Sequence, residues 1–376
     1  MLHPDAPGNV GRGRGVTRVL EADTDREEWL EWWRRCGREP FAHPAYCRLL
    51  AGDAGRPVAL ILDGQPESAL LPLVIRPLRD LPWADEELYD AISPYGYGGP
   101  FFPGTPGRGR RYAESVLAEL ADWVVRAGLC SVFLRLSLES DMAVGIRTPQ
   151  TEVVDVSENV VVDLRRTPEE LWANYEHKVR KNVKKAARAG CSVRREDRLN
   201  DVDGFLQVYG ETMRRRGAAA YYHFDRTFFT TLSEELAGSY SVFSVLDDTG
   251  RVVSVELVLE SDAHLYSFLG GTRAEAFPMA PNDLLKHEVV LYGRRTGRQG
   301  FVLGGGYERG DGIFRYKRAF DPGGVRTFRA VRMVGDPARY TSLVQNRARR
   351  AGSLPAGDSF FPAYREPVTA TPVTAS

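Results

Sequence analysis

The fold is decided by one stretch near the end of the chain, where a strand, two glycines, a helix and a second strand follow one another. Residues 264–272 read HLYSFLGGT, residues 281–297 read PNDLLKHEVVLYGRRTG, and residues 301–306 read FVLGGG. Apolar runs predict strands at 264–269 and 301–303, and the segment between them predicts a helix that ends near Gly297. Because this order is a supersecondary unit of α/β proteins, the stretch predicts an α/β (α+β) fold.

The same order of elements occurs about 170 residues earlier in the chain. Gly98-Gly99 is followed by a helical segment at 110–127, then Gly128 and a strand-like run at 131–138. Two copies of one unit suggest duplicated domains, although any α/β protein can contain such runs. We expect a disordered arm at 1–16, a first domain at 17–165, a second at 166–335, a C-terminal helix at 336–351 that packs back on the first domain, and a flexible tail at 352–376.

Composition and motifs exclude several classes of protein. The chain has 376 residues, 50 Lys+Arg against 50 Asp+Glu, and 43% hydrophobic residues, which are globular proportions. It has no apolar run of about 18 residues and no apolar stretch after its first charges, so neither membrane insertion nor a secretory signal is expected. Four scattered cysteines fit a cytoplasmic protein. P-loop, HExxH and GxSxG motifs are missing and the six histidines lie far apart, so we expect no cofactor and no metal.

Lysine is rare in this chain and clustered. Among 50 cations only six are lysines, and four fall within eight residues; the other two are Lys286 and Lys317. From 177 to 195 there are eight basic residues and no acid, which leaves the rest of the chain at net −8. A segment without acidic neighbours favours an external anion such as RNA phosphate, although an ordinary solvated face is the alternative. The predicted anion-binding residues on this helix are Lys178, Lys181, Lys184, Lys185 and Arg188.

A second signal follows the triple glycine, in the sequence DGIFRYKRAF at 311–320. Lys317 lies between aromatic residues that would partly desolvate its ammonium, and such a group can stabilise the oxyanion of an acyl transfer. The alternative is a lysine that extends to solvent. Tyrosines at 95, 97, 221, 222 and 266 could supply hydroxyls to a ligand cleft, although such tyrosines are more often core residues.

With these residues assembled, the chain resembles the Fem family (FemABX) of aminoacyl-tRNA-dependent peptidyltransferases, which consist of two tandem GNAT-like domains. The resemblance rests on five segments: KVRKNVKKA at 178–186, Tyr266 with Gly270-Gly271, PNDLL at 281–285, GGG at 304–306 and YKRAF at 316–320. It covers the second domain well and the first mainly in the order of elements. No helical-hairpin arm of the kind found in some cell-wall members is visible.

The resemblance implies a fold, a reaction and a set of site residues. It implies two tandem GNAT-like domains, each a mixed sheet flanked by helices, and transfer of an aminoacyl group from aminoacyl-tRNA to an amine of a natural-product or peptidoglycan precursor. Lys317 would be catalytic, through the tetrahedral oxyanion, and the basic helix would bind tRNA. The implied substrate-binding residues are Tyr316, Tyr266, Tyr222, Tyr95, Asn282 and Gly305.

Two other functions remain open from the sequence. The first is acyl-CoA-dependent N-acyl transfer on the same fold, which uses a pyrophosphate loop of the form [QR]xxGx[GA]; the strand exit GGTRA at 270–274 does not match it. The second is a non-catalytic RNA-binding module, which would have no need of Lys317. An aminoacyl ester is already activated, so transfer from tRNA needs no ATP site, and Asp283 or Glu256 are candidates for a general base.

Overall fold

The computed structural model describes residues 18–52, 55–62, 68–84, 87–104, 110–138, 143–218, 222–352 and 360–368. The predicted arm at 1–16 lies outside these residues, as does most of the predicted tail at 352–376. Within the described ranges no helix has both the length and the apolar character needed to cross a membrane.

The described residues form strands and helices that alternate through most of the chain. The strands are β1 (Arg18–Glu21), β2 (Arg56–Leu62), β3 (Ala69–Pro77), β4 (Tyr89–Ile92), β5 (Ser131–Arg135), β6 (Thr151–Asp163), β7 (Ser192–Glu196), β8 (Tyr240–Leu246), β9 (Val252–Glu260), β10 (His264–Thr272), β11 (Gly300–Gly304) and β12 (Val325–Val334). The α-helices are α1 (Arg26–Arg35), α2 (Pro44–Leu49), α3 (Arg110–Arg126), α4 (Pro168–Asn174), α5 (His177–Arg188), α6 (Val202–Arg216), α7 (Arg226–Glu235), α8 (Pro281–Arg295), α9 (Gly312–Arg318) and α10 (Pro337–Ala351).

The chain divides into two compact units, of which the first comprises Met1–Trp32, Leu50–Asp155 and Arg329–Ser376. Its strands run in the order β1-β2-β3-β4-β5 followed by residues 330–334 of β12. The pair β4 and β5 is parallel and the other pairs are antiparallel. Helix α3 connects the parallel pair and buries its apolar face against the sheet. The predicted C-terminal helix is α10, which places Leu343 in an apolar cluster with Leu78, Leu88 and Tyr364.

The second unit comprises Trp33–Leu49 and Val156–Phe328. Residues 160–163 of β6 begin a sheet that continues β11-β10-β9-β8-β7. Only β10 and β11 are parallel among these described pairs, and α8 connects them. Both units therefore contain a mixed sheet with a helix between two parallel strands, which confirms the α/β class predicted from sequence. The predicted boundaries at 165 and 335 remain predictions.

The sequence TPEE at 167–170 is a capping-box signature that predicts one helix as far as Gly190, and the structure corrects this prediction. The Thr167–Glu170 capping box starts α4 as the sequence predicts, but the chain becomes extended at Tyr175 and Glu176 before α5 begins. Tyr175 is buried against Phe320, and the Glu176 amide donates to Ala319 O at 2.8 Å. These tertiary contacts interrupt the helix, which sequence periodicity cannot show.

Strand β10 also runs further than predicted, through Gly270 and Gly271 to Thr272. A side chain at Gly270 would approach Val255 O to 2.7 Å, and one at Gly271 would approach Thr212 Oγ1 to 2.7 Å. The two glycines therefore allow close packing of the strand against β9 and α6, rather than ending it.

Candidate active site

The candidate site lies in the second unit, where β10 and β11 stop pairing. The parallel ladder contains three residue pairs, from His264↔Gly300 to Tyr266↔Val302, although β10 continues for six more residues. Register also shifts in β10 between Ser267 and Leu269. The carboxyl ends of the two strands therefore separate, and ligands in open α/β sheets bind at such an end.

Lys317 is held at the end of β11 by a capped helix. Asp311 caps α9 by accepting from Phe314 N at 2.7 Å, and it also accepts from Tyr307 N at 2.7 Å. A side chain at Gly306 would overlap the Asp311 carboxylate, so this position requires glycine. The helix directs Lys317 Nζ to Gly305 O at 2.6 Å, so two residues that were predicted separately are in direct contact.

The pKa of Lys317 is lowered to about 8. Burial is the largest cause and the positive charge of Lys286 adds to it, while Glu256 and Asp311 act in the opposite direction. An ammonium has three N–H donors, and Gly305 uses one of them. Near neutral pH the group is thus mainly protonated, partly desolvated and able to donate to a developing oxyanion.

A second lysine belongs to the same site. Lys286, on α8, forms an ion pair with Glu256 and donates to Ser267 Oγ at 2.7 Å. Both partners are buried, with side-chain exposures of 8% and 3%. Glu256 Oε2 is buried and has no hydrogen-bond partner within the described part of the chain. The pair therefore carries one carboxylate oxygen that no donor of the described residues satisfies.

Tyr316 and Asn282, both predicted site residues, form a hydrogen bond. Asn282 Nδ2 donates to the Tyr316 hydroxyl at 2.8 Å. Burial raises the pKa of Tyr316 well above its usual value, and the charges of Asp283 and Glu256 raise it further. The phenol is therefore neutral at physiological pH and retains its hydroxyl hydrogen as a donor.

Asp283 connects this site to the basic helix. Burial raises the pKa of Asp283 to about 6, whereas a hydrogen bond from Asn182 and the charge of Lys178 lower it. Asn182 Nδ2 donates to Asp283 Oδ1 at 3.2 Å. Asn282, next to Asp283, donates to the Tyr316 hydroxyl, so α5 and Tyr316 both contact the first turn of α8.

The basic face of α5 points to solvent as predicted. Val179, Val183 and Ala186 are buried on the opposite face. No carboxylate of the described residues lies within ion-pair distance of the five exposed side chains, Lys178, Lys181, Lys184, Lys185 and Arg188. Lys184 Nζ lies 5.7 Å from the centre of the Trp172 ring. A cationic surface whose side chains form no ion pair among the described residues therefore adjoins the candidate site.

Three predicted tyrosines lie elsewhere. The Tyr266 hydroxyl donates to Glu39 Oε2 at 2.7 Å, and because side chains alternate along a strand, Tyr266 faces away from Ser267 and its partner lysine. Tyr222 is half-buried, and its carbonyl accepts from the Tyr209 hydroxyl at 2.7 Å. Tyr95 is exposed in the first unit, after β4. Substrate-binding roles for these three residues remain predictions.

Sequence reasoning missed Lys286 and Ser267, and it named Glu256 and Asp283 only as candidate bases. One signal was present: Lys286 and Lys317 are the only lysines outside the basic cluster of an arginine-rich chain. In the folded chain the charge of Lys286 contributes to the lowered pKa of Lys317. Their sequence separation concealed this proximity.

Comparison with known proteins places the site in a GNAT domain. Residues 173–318 match the acetyltransferase (GNAT) domain family, which shows a GNAT-type acyltransferase domain in the second unit. None of the curated protein sequences that were compared matches the chain.

Three solved structures share the fold at low sequence identity. FemX has a TM-score of 0.62 and 12% identity, over 80% of this chain and 93% of FemX. L-PGS from Bacillus licheniformis has a TM-score of 0.56 and 13% identity, over 89% of this chain and 98% of L-PGS. A conserved protein of unknown function from Bacteroides thetaiotaomicron has a TM-score of 0.54 and 9% identity, over 85% and 99% of the two chains. At such identities these similarities establish the fold alone.

Proposed function

We propose that this GNAT-type acyltransferase moves an aminoacyl group from aminoacyl-tRNA to an amine acceptor and forms an amide. The observation that carries the proposal is a chain of contacts from the basic helix α5 to the Tyr316–Lys317 pair: Asn182 of α5 donates to Asp283, and the neighbouring Asn282 donates to the Tyr316 hydroxyl. The FemX-like fold and the family resemblance of the same segments support it. In this proposal a natural-product or peptidoglycan-precursor amine is the acceptor, and the reaction takes place in the cytoplasm without an added cofactor.

The basic face has the properties of a polyanion-binding surface. Its five cations are exposed, lie on one helix and form no ion pair among the described residues, so an RNA backbone would gain their attraction without breaking such pairs. The helix leads toward α8 and the opening between β10 and β11. An acyl ester at the end of a bound RNA would thus be directed to Lys317.

The chemical step needs little from the protein besides position and charge. A neutral acceptor amine attacks the ester carbonyl and forms a carbon–nitrogen bond, while negative charge develops on the carbonyl oxygen. Lys317 stabilises that oxygen with its free N–H groups, and Tyr316 adds its hydroxyl. The carbon–oxygen bond to the RNA ribose then breaks, and the amine proton passes to the ribose oxygen, so the products are an amide and free tRNA.

The family match also favours a second candidate, acyl-CoA-dependent transfer to an amine. One observation opposes it. A pyrophosphate would bind at the N-terminus of α8, but that turn begins with Pro281, which lacks an N–H, and contains the carboxylate of Asp283. A negative group at this end of the helix disfavours a second one, so the aminoacyl-tRNA donor is the preferred proposal.

Donor competition distinguishes the two candidates. The protein is incubated with a pool of charged tRNA, candidate amines and, separately, acyl-CoA, and product amides are detected by mass spectrometry. The proposal predicts transfer that RNase pretreatment abolishes. Transfer from acyl-CoA that is insensitive to RNase would replace it with the second candidate.

A further inference from the structure

Glu256 provides a buried carboxylate with one unused oxygen. It lies on β9 opposite Gly270, and its side chain is 3% exposed. Lys286 satisfies Oε1, whereas Oε2 has no donor among the described residues. A buried carboxylate oxygen without a hydrogen bond is energetically costly, which makes it a candidate for a bond to a ligand.

This oxygen belongs to the same site as the proposed oxyanion donors. Asn282 and Lys286 lie one turn apart on α8, where Asn282 donates to the Tyr316 hydroxyl and Lys286 donates to Glu256, so these contacts bring Glu256 to the Tyr316–Lys317 pair. In agreement, the charge of Glu256 raises the pKa of both Lys317 and Tyr316. The three side chains differ in the hydrogen-bonding groups that they still have free. Lys317 and Tyr316 retain donors, whereas Glu256 retains an acceptor.

An α-aminoacyl group matches this arrangement. Its carbonyl oxygen accepts hydrogen bonds, and its α-ammonium, one carbon away, donates them. We infer that Glu256 Oε2 binds the α-ammonium of the donor while Lys317 and Tyr316 bind its carbonyl oxygen. This inference rests on the proposed function and adds to it a residue that selects aminoacyl over simple acyl groups. An acetyl group would leave the buried oxygen unpaired, and sites built to hydrogen-bond a substrate reject analogues that lack the partner.

The acceptor substrate is another source of the same ammonium chemistry. Binding experiments without acceptor separate the two sources, because only the donor is then present. Two donors are needed, an aminoacyl-tRNA and its N-acetylated counterpart made from the same charged tRNA. They share the ester and the polyanion and differ only at the α-nitrogen.

The experiment compares these donors in binding and in transfer. Wild type is expected to prefer the free α-amino form by about 10- to 100-fold, the usual range for a hydrogen bond to a charged group. Glu256→Gln should reduce that preference to near one. Glu260→Gln is the matched control, because Glu260 lies on the same strand but its oxygens already accept from Ser241, Tyr292 and Arg298; this variant should keep the preference.

A second variant guards against misfolding. Glu256→Gln leaves Lys286 without its partner, so Glu256→Gln combined with Lys286→Met removes the pair together and leaves no uncompensated charge. The double variant also lacks the carboxylate and should also lose the preference, with thermal unfolding recorded to confirm a folded protein.

Each remaining outcome has a defined meaning. RNase-sensitive transfer by wild type with no preference between the donors overturns the Glu256 assignment and leaves the proposed function standing. The Glu256 assignment is also overturned if Glu256→Gln loses affinity and transfer rate equally with both donors. An effect of this variant that is confined to the KM of the acceptor has the same meaning. Absence of any RNase-sensitive transfer by wild type overturns both the assignment and the proposed function.

Discussion

Replacement of Lys317 by methionine tests the chemistry of the site. Methionine keeps most of the side-chain length and removes the ammonium, which now donates to Gly305 O at 2.6 Å and has two free N–H groups. Loss of one pre-positioned oxyanion donor costs about 10²–10³ in kcat, or about 2.7–4 kcal/mol of transition-state stabilisation. We expect a loss in that range with donor affinity nearly unchanged, because the basic face is intact.

The pH dependence of this loss in rate provides an independent test of the charge on Lys317. With a pKa of about 8, Lys317 is roughly nine-tenths protonated at pH 7 and roughly one-tenth protonated at pH 9. The ratio of wild-type to Lys317→Met rates should therefore fall above pH 8, toward a tenfold decrease per pH unit. A ratio cancels the titration of the acceptor amine, which affects both proteins alike.

The assay is single-turnover transfer from aminoacyl-tRNA at saturating acceptor, measured from pH 6 to pH 10. Arg318→Met is the matched control, since Arg318 is an exposed cation on the same helix and should transfer at the wild-type rate. Wild-type turnover in Lys317→Met would remove this lysine from the mechanism. A large loss that does not change with pH would show that its charge is irrelevant.

The same geometry leads to four further predictions. The first variant neutralises four lysines of α5 together, Lys178, Lys181, Lys184 and Lys185. It should weaken tRNA binding, and the slope of log binding constant against log salt concentration should become shallower by about 0.7 for each phosphate that the helix no longer neutralises. An unchanged slope would make the α5 face an ordinary solvated one. Burial raises the pKa of Asp283 from 3.8 to about 6, so ionising it costs about 3 kcal/mol of folding stability at pH 7, a cost that develops as pH rises from 3.8 to 6 and is absent below 3.8. Asp283→Asn should accordingly unfold at a higher temperature than wild type at pH 7 but not at pH 3.5. The same difference in unfolding temperature between variant and wild type at both pH values would contradict the raised pKa. Gly306→Ala should displace the Asp311 cap and lower the free energy of unfolding by about 1–2 kcal/mol in denaturant titrations, with reduced transfer, whereas wild-type values for both would show that the cap is not needed. Glu256→Gln alone should cost about 3–5 kcal/mol of stability and the double change with Lys286→Met much less, and equal losses would show that the buried pair is not coupled.

Local patterns predicted much of the second unit. The capping box at Thr167 and the basic face of α5 both occur in the structure as the sequence indicates. These features depend on residues close in the chain. The spacing of apolar residues also gave the strand–helix–strand unit of β10, α8 and β11.

The site itself depends on contacts that sequence patterns do not contain. Glu256 and Lys286 are separated by 30 residues, and their pairing depends on how α8 packs against β9. The interruption at Tyr175 likewise arises from Phe320 and Ala319, far along the chain. Tyr266 was placed by resemblance alone, and its hydroxyl donates to Glu39, so its substrate-binding role stays a prediction.

The central claim is that one ligand occupies both the basic face of α5 and the site at Lys317. Hydrogen exchange in the presence of an amide-linked aminoacyl-tRNA, which cannot react, tests this directly. The account predicts slower exchange in residues 177–188 and in residues 305–318 together, and protection of only the first segment by tRNA that carries no aminoacyl group. Protection of neither segment, or of 177–188 alone by the aminoacylated form, would contradict it.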